Sequence, residues 1–178
     1  MRRIKLFFTL FLIFAAFMVS GQSILKENHK SFRMGLALQG SIPTGNFAEF
    51  YSMGIGGALL FEGQLTNFFS VTAELGYSSY TGKEVEMPEG LVTMENMIVP
   101  SVLVGAKFQS GIFYGDIRAG YFMGDMEEIG LVPSIGVQYK NWDFNLGMKA
   151  LNQYYYGFLR IGYYFLNTRK TDPFCESL

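Results

Sequence analysis

The chain has 178 residues, 49% hydrophobic and 17% aromatic, with 21 glycines, one cysteine and one histidine. Its 14 basic and 15 acidic residues leave no basic surplus for nucleic acid, and the lone Cys175 excludes an internal disulfide framework. The length suits one domain; the aromatic and glycine content suits strands joined by tight turns.

Arg2, Arg3 and Lys5 precede an uncharged apolar run over residues 6–19, and Val19, Ser20 and Gly21 supply small residues at a cut site before Gln22. These three parts make residues 1–21 a secretory signal peptide. The run is shorter than the roughly 20 residues of a membrane-spanning helix, and no cysteine lies near the cut to mark a lipoprotein. Removal leaves 11 basic against 15 acidic residues. The expected organisation is a periplasmic segment at 22–30, one β domain at 31–166 and a polar tail at 167–178, in which Cys175 is an unpaired thiol.

Eight stretches then alternate with period two, the signature of strands with two unlike faces. Residues 32–42 set Phe32, Met34, Leu36 and Leu38 against Arg33, Gly35, Ala37, Gln39 and Ser41. Residues 54–65 set Ile55, Leu59 and Phe61 against Gly56, Ala58, Glu62 and Gln64. Residues 68–80 set Val71, Leu75 and Tyr77 against Thr72, Glu74 and Ser78. Residues 98–109 set Val102, Val104 and Phe108 against Ser101, Gly105 and Lys107. Residues 112–123 set Phe113, Ile117 and Tyr121 against Asp116, Arg118 and Gly120. Residues 131–140 set Leu131, Ile135, Val137 and Tyr139 against Ser134, Gly136 and Gln138. In residues 142–165, Trp142, Phe144, Leu146 and Met148 oppose Asp143, Asn145 and Lys149. After Asn152 and Gln153, Leu159, Ile161, Tyr163 and Phe165 oppose Arg160 and Gly162. Each stretch has about the 9–11 residues of a tilted membrane strand.

The links alternate too. Thr66-Asn67, Ser110-Gly111 and Lys140-Asn141 are hairpin-sized, with Asn or Gly where positive φ is expected. The links after the first, third and fifth strands are long, and only Asn152-Gln153 breaks the rule. Short turns at one end and long loops at the other describe an up-and-down barrel of the outer-membrane kind. Tyr77, Tyr121, Tyr139, Trp142, Tyr163 and Phe165 lie on apolar faces near strand ends, where such barrels carry aromatic girdles. Alternation alone does not say which face is inside, so a soluble barrel with an apolar interior is the competing reading. Glycine and serine among a few charges suit a narrow lumen and favour the membrane barrel.

These features resemble the small eight-stranded outer-membrane barrels of the OmpX and OmpA-transmembrane type. The segment from Pro43 to Phe47, with Tyr51, Gly54, Gly56, Gly57 and the strand ending at Asn67, is similar to the outer-membrane β-barrel proteins typical of Bacteroidetes. The resemblance spans about residues 30–166 and implies an all-β, eight-stranded antiparallel barrel in the bacterial outer membrane. It also implies outer-membrane lipid and lipopolysaccharide as surroundings and the barrel assembly machinery as a partner during insertion. A terminal aromatic on the last strand is commonly read by that machinery. Phe165 occupies such a position here, although residues 166–178 follow it.

Catalytic and metal-binding signatures are absent from the sequence. His29 is the only histidine, and no nucleophile, base and orienting acid are grouped with it. It stands apart from any cluster of ligating residues. The "GIGG" at 54–57 opens no helix and is no phosphate loop; its glycines relieve crowding at a strand start. The expectation is a monomeric, non-enzymatic protein with no metal or cofactor and a structural or surface-interaction role, with a narrow channel or transporter for small solutes as the alternative. Two charge sets are the candidate sites. Glu49, Glu84, Glu86, Glu89, Glu95, Asp125, Glu127 and Glu128 lie in the long loops against one Lys83. They form a wet outer face or a surface for divalent cations or a basic extracellular ligand. Arg33, Glu62, Glu74, Lys107, Asp116, Arg118, Asp143, Lys149 and Arg160 lie on the polar face. Counting from the short turns puts Glu74, Arg118 and Arg160 at one depth, which predicts a central cluster extended by Asp116 and Lys149.

Overall fold

The computed structural model describes residues 31–168 apart from 88, 89 and 153. The expected signal peptide, segment 22–30 with His29, Glu89, and tail residues 169–178 with Cys175 lie outside the described residues. Ten strands follow in chain order: β1 (Phe32–Thr44), β2 (Tyr51–Gln64), β3 (Phe69–Gly82), β4 (Glu84–Met87), β5 (Gly90–Thr93), β6 (Met97–Ser110), β7 (Phe113–Phe122), β8 (Glu128–Tyr139), β9 (Trp142–Leu151) and β10 (Tyr155–Asn167). Eight of them close an antiparallel barrel in the order β1-β10-β9-β8-β7-β6-β3-β2, and β4 with β5 forms a separate hairpin. Closure gives both edges of each wall strand a neighbour, the condition for a sheet that spans hydrocarbon.

The burial of the side chains settles which face is inside. Leu38, Ile55, Ile135 and Leu159 are 74%, 67%, 66% and 57% exposed, whereas Arg33, Glu62, Glu74, Lys107, Asp116, Arg118, Asp143, Lys149 and Arg160 are all buried. The barrel is apolar outside and charged inside, the reverse of a water-soluble one. The protein is therefore an integral β-barrel of the bacterial outer membrane. Tyr77, Tyr121, Tyr139, Trp142, Tyr163 and Phe165 all face outward, and the rings of Trp142 and Tyr163 meet edge to face at 5.1 Å.

The periplasmic turns are short, but their chemistry differs from the expectation in two places. At the β2–β3 turn Asn67 does not take positive φ. At the β8–β9 turn Lys140, not Asn141, takes positive φ (53°), while Gly111 takes it (61°) at the β6–β7 turn. The wall has three irregularities. The β2–β3 register shifts between Tyr51 and Gly54. The β1–β10 register shifts between Met34 and Gly35. The β8–β9 pairing skips Val132 and Pro133, because proline has no N–H to give a ladder.

The outer loops contain structure that alternation does not reveal. Residues 47–50 form a single helical turn, α1 (Phe47–Phe50), whose Phe47 is buried. The link between β3 and β6 contains the β4–β5 hairpin, with Val85 opposite Val92. Lys83 ties the two loops together: its backbone N–H donates to Phe50 O at 2.9 Å and its Nζ to Ala48 O at 2.7 Å. Glu128, expected in the third loop, is instead the first residue of β8 and half-buried.

Candidate functional site: the charged lumen and its aromatic cap

Each lumen charge is positioned by the pleat, because every second residue of a wall strand points inward. Toward the periplasm Glu62 is the hub. Its Oε1 accepts from Arg33 Nη2 at 2.7 Å; its Oε2 accepts from Lys107 Nζ at 3.0 Å and from the Tyr164 hydroxyl at 3.2 Å. Lys107 Nζ also donates to Gln138 Oε1 at 2.9 Å and stands 4.0 Å from the centre of the Tyr114 ring. The Tyr114 hydroxyl donates to Asp143 Oδ1 at 2.9 Å.

At mid-height Glu74 is the hub. A single carboxylate oxygen, Oε2, accepts from Nη1 of both Arg118 and Arg160. Asp116 Oδ2 lies 2.9 Å from Arg118 Nε, and the Thr72 hydroxyl donates to Asp116 Oδ1 at 3.4 Å. Asp143 joins the two hubs, with Oδ2 3.8 Å from Lys107 Nζ and Oδ1 3.6 Å from Arg160 Nη2. Eight of the nine charged residues on this face thus form one connected network. Gly105 makes room for it: a Cβ there would lie 2.4 Å from Arg118 Cγ and 2.2 Å from Ile117 O.

Lys149 is the exception. Among the described residues no carboxylate lies within 4 Å of it; its Nζ sits 5.5, 5.7 and 5.8 Å from the ring centres of Phe158, Tyr156 and Phe122. The cause is register. Lys149 pairs with Tyr156 on β10, so its inward neighbours are rings, whose faces attract a cation.

Those rings belong to a cap across the outer half of the lumen. Phe47 from α1 meets Tyr51, Tyr80, Tyr154 and Tyr156 at ring separations of 5.0–5.8 Å. Phe122, Val132, Leu103 and Leu151 belong to the same buried apolar cluster, together with Met97, Val99, Met126 and Phe158. Gly54 admits Tyr80, since a Cβ would fall 2.4 Å from that ring; this is the crowding its glycine run relieves. Sequence reasoning missed the cap, although a signal was present. Tyr80 is in phase with Glu74 and Ser78, and Tyr156 and Phe158 are in phase with Arg160, so these aromatics sit on the polar face.

Of the outer acidic residues, Glu49, Glu84, Glu86 and Glu95 are exposed. Asp125 serves the fold, its Oδ2 accepting from Ile98 N at 2.9 Å. Among the described residues no group of three His, Cys, Asp or Glu side chains is placed to hold a metal ion.

No family model and no curated protein sequence matches the chain. Solved structures do. A crystal structure of Ail, the attachment invasion locus protein of Yersinia pestis, in complex with the heparin analogue sucrose octasulfate, superposes with a TM-score of 0.51 at 15% identity. That match covers 77% of this chain and 99% of Ail. Ail in a phospholipid bilayer nanodisc matches with TM-score 0.47 and 14% identity, over 75% of this chain and 99% of the other. A further Ail crystal structure gives 0.44 and 16%, over 78% and 99%. The first likeness shows a shared fold: this chain is built as a small, OmpX-type eight-stranded outer-membrane barrel.

Proposed function

We propose that this protein is a non-enzymatic outer-membrane barrel whose lumen is shut by its own side chains and whose work is done at the outer face, as a structural or surface-interaction protein. The observation that carries the closed lumen is the stacking of two unlike plugs. The ion-pair network fills the inner half, and the Phe47–Tyr80–Tyr156 cap fills the outer half. An eight-stranded barrel is only wide enough for side chains to occupy its interior. The void beside Lys107, Asp116, Arg118 and Arg160 has a volume of about 10 Å³, room for about one water. In a planar bilayer the purified barrel is expected to add no steady current. Sustained, ion-selective conductance would overturn the closed lumen and favour a channel.

At the outer face, the described loops and strand ends carry Glu49, Glu84, Glu86, Glu95, Asp125, Glu127 and Glu128 against Lys83 alone. The Ail structure holds a heparin analogue, sucrose octasulfate. A polyanion of that kind meets like charge here, whereas a basic ligand meets opposite charge that steers its approach. The expected result is that a basic peptide binds and that Glu49, Glu84, Glu86 and Glu95 changed together to Gln abolish binding without unfolding the barrel. Equal binding by the quadruple variant would leave these carboxylates with solvation as their only role.

A further inference from the structure

The outer wall over β6–β10 carries a groove that neither plug explains. On β7 Gly115 faces lipid between Phe113 and Ile117, and a Cβ added there would meet nothing within 4 Å. Its paired neighbours are Phe108 on one side and Ile135 on the other. Large side chains thus flank a position that has none, and the result is a trough of about 810 Å³. The trough opens at the periplasmic turn, where Gln109 and Ser110 line it. Past Gly115 it continues into a second hollow of about 510 Å³ that ends at Pro133 and Met148, where the β8–β9 ladder is interrupted.

We propose that this groove holds one acyl chain of a phospholipid from the periplasmic leaflet, and holds it more firmly than the lipid around the rest of the barrel. Three features fit that occupant. The side chains flanking Gly115, Phe108 and Ile135, are apolar, and Gln109 and Ser110 border the mouth. Asn145, Ser134 and Asp116 also border the groove but are buried toward the lumen. This suits a chain whose head group stays at the interface. The opening lies on the periplasmic side, so the chain enters from the inner of the two leaflets. Phe113 to Ile117 spans four residues, about 14 Å of strand at roughly 3.4 Å per residue. With the wall strands tilted by about 35–45°, that stretch covers about 10–11 Å of depth, about a third of a hydrocarbon core of roughly 30 Å, and so lies within one leaflet. The driving force is contact rather than escape from water, because lipid tails are already apolar. A chain lying in the trough touches wall on two sides and floor beneath, and each such contact adds dispersion attraction.

The test is native mass spectrometry of the barrel released by mild detergent from vesicles of phosphatidylethanolamine and phosphatidylglycerol. Gly115→Leu fills the trough. Gly63→Leu is the control, since Gly63 also faces outward with open space, on β2 across the barrel. Retained heat-dependent gel mobility confirms that both variants fold. The unmodified protein and Gly63→Leu should each carry one phospholipid, and Gly115→Leu should carry it roughly tenfold less often. A bare unmodified barrel, or equal retention by all three, would overturn the proposal. A doubled protein mass that disappears in Gly115→Leu would also overturn it and assign the groove to a second copy of the chain.

Discussion

Replacing Glu74 by Gln should lower the unfolding free energy of the barrel by about 3–5 kcal/mol, the cost expected when one member of a buried ion pair is removed. Glu74 is the shared acceptor of Arg118 and Arg160, and all three are buried. Gln is nearly isosteric, so the packing survives and the charge alone is lost. Arg118 keeps Asp116 at 2.9 Å, but Arg160 is left with Asp143 at 3.6 Å as its nearest anion. Two guanidinium groups then share less negative charge in a space from which water is largely excluded, where an unpaired charge is costly. The midpoint of urea unfolding in lipid vesicles reads this directly. Glu95→Gln, on an exposed loop, should shift it by less than about 0.5 kcal/mol. A loss below about 1 kcal/mol for Glu74→Gln would mean that the network contributes little to stability and that the arginines find other partners.

The adjacent residue should behave in the opposite way. Leu75→Arg is expected to cost about 2–4 kcal/mol, the range for a cation placed at the bilayer midplane on the lipid face of a barrel. Leu75 is 47% exposed and sits one pleat away from the buried Glu74. At position 74 the barrel needs a charge and at 75 it rejects one, although the two share a peptide bond. The same vesicle unfolding series measures both variants. If Leu75→Arg were neutral in vesicles, the assignment of the outer face to lipid would be wrong.

The strands were legible because each records its own environment. A wall strand touches lipid on one side and lumen on the other, so two-residue alternation appears within a single segment without reference to its neighbours. Glu74 and Arg118 could be placed at one depth because height follows from counting along strands from short turns. Lys149 departs from that estimate because depth does not fix lateral neighbours. The β9–β10 register sets it opposite Tyr156 rather than beside Asp116. The aromatic cap was hidden for a related reason. An inward aromatic such as Tyr156, which follows partly buried Tyr154 and outward Tyr155, erases the contrast that marks the faces. Helix α1 and the β4–β5 hairpin left no periodic trace, being four residues per element. Their stability comes from contacts far along the chain, such as Lys83 to Ala48 and Phe50.

The pairing of β1 with β10 has a consequence for how the molecule is made. Thr44 lies against Tyr155 and Arg33 against Asn167, so the seam joins positions more than a hundred residues apart along the chain. Pairs of that separation are the slow ones, since the intervening chain must be gathered before they reward it. Until β10 arrives, β1 and β9 each keep an edge of free N–H and C=O groups that hydrocarbon does not tolerate. A nascent chain that stops at β9 therefore has no low-energy resting place in the bilayer. The seam makes insertion a nearly all-or-none event and lets the membrane itself reject incomplete copies.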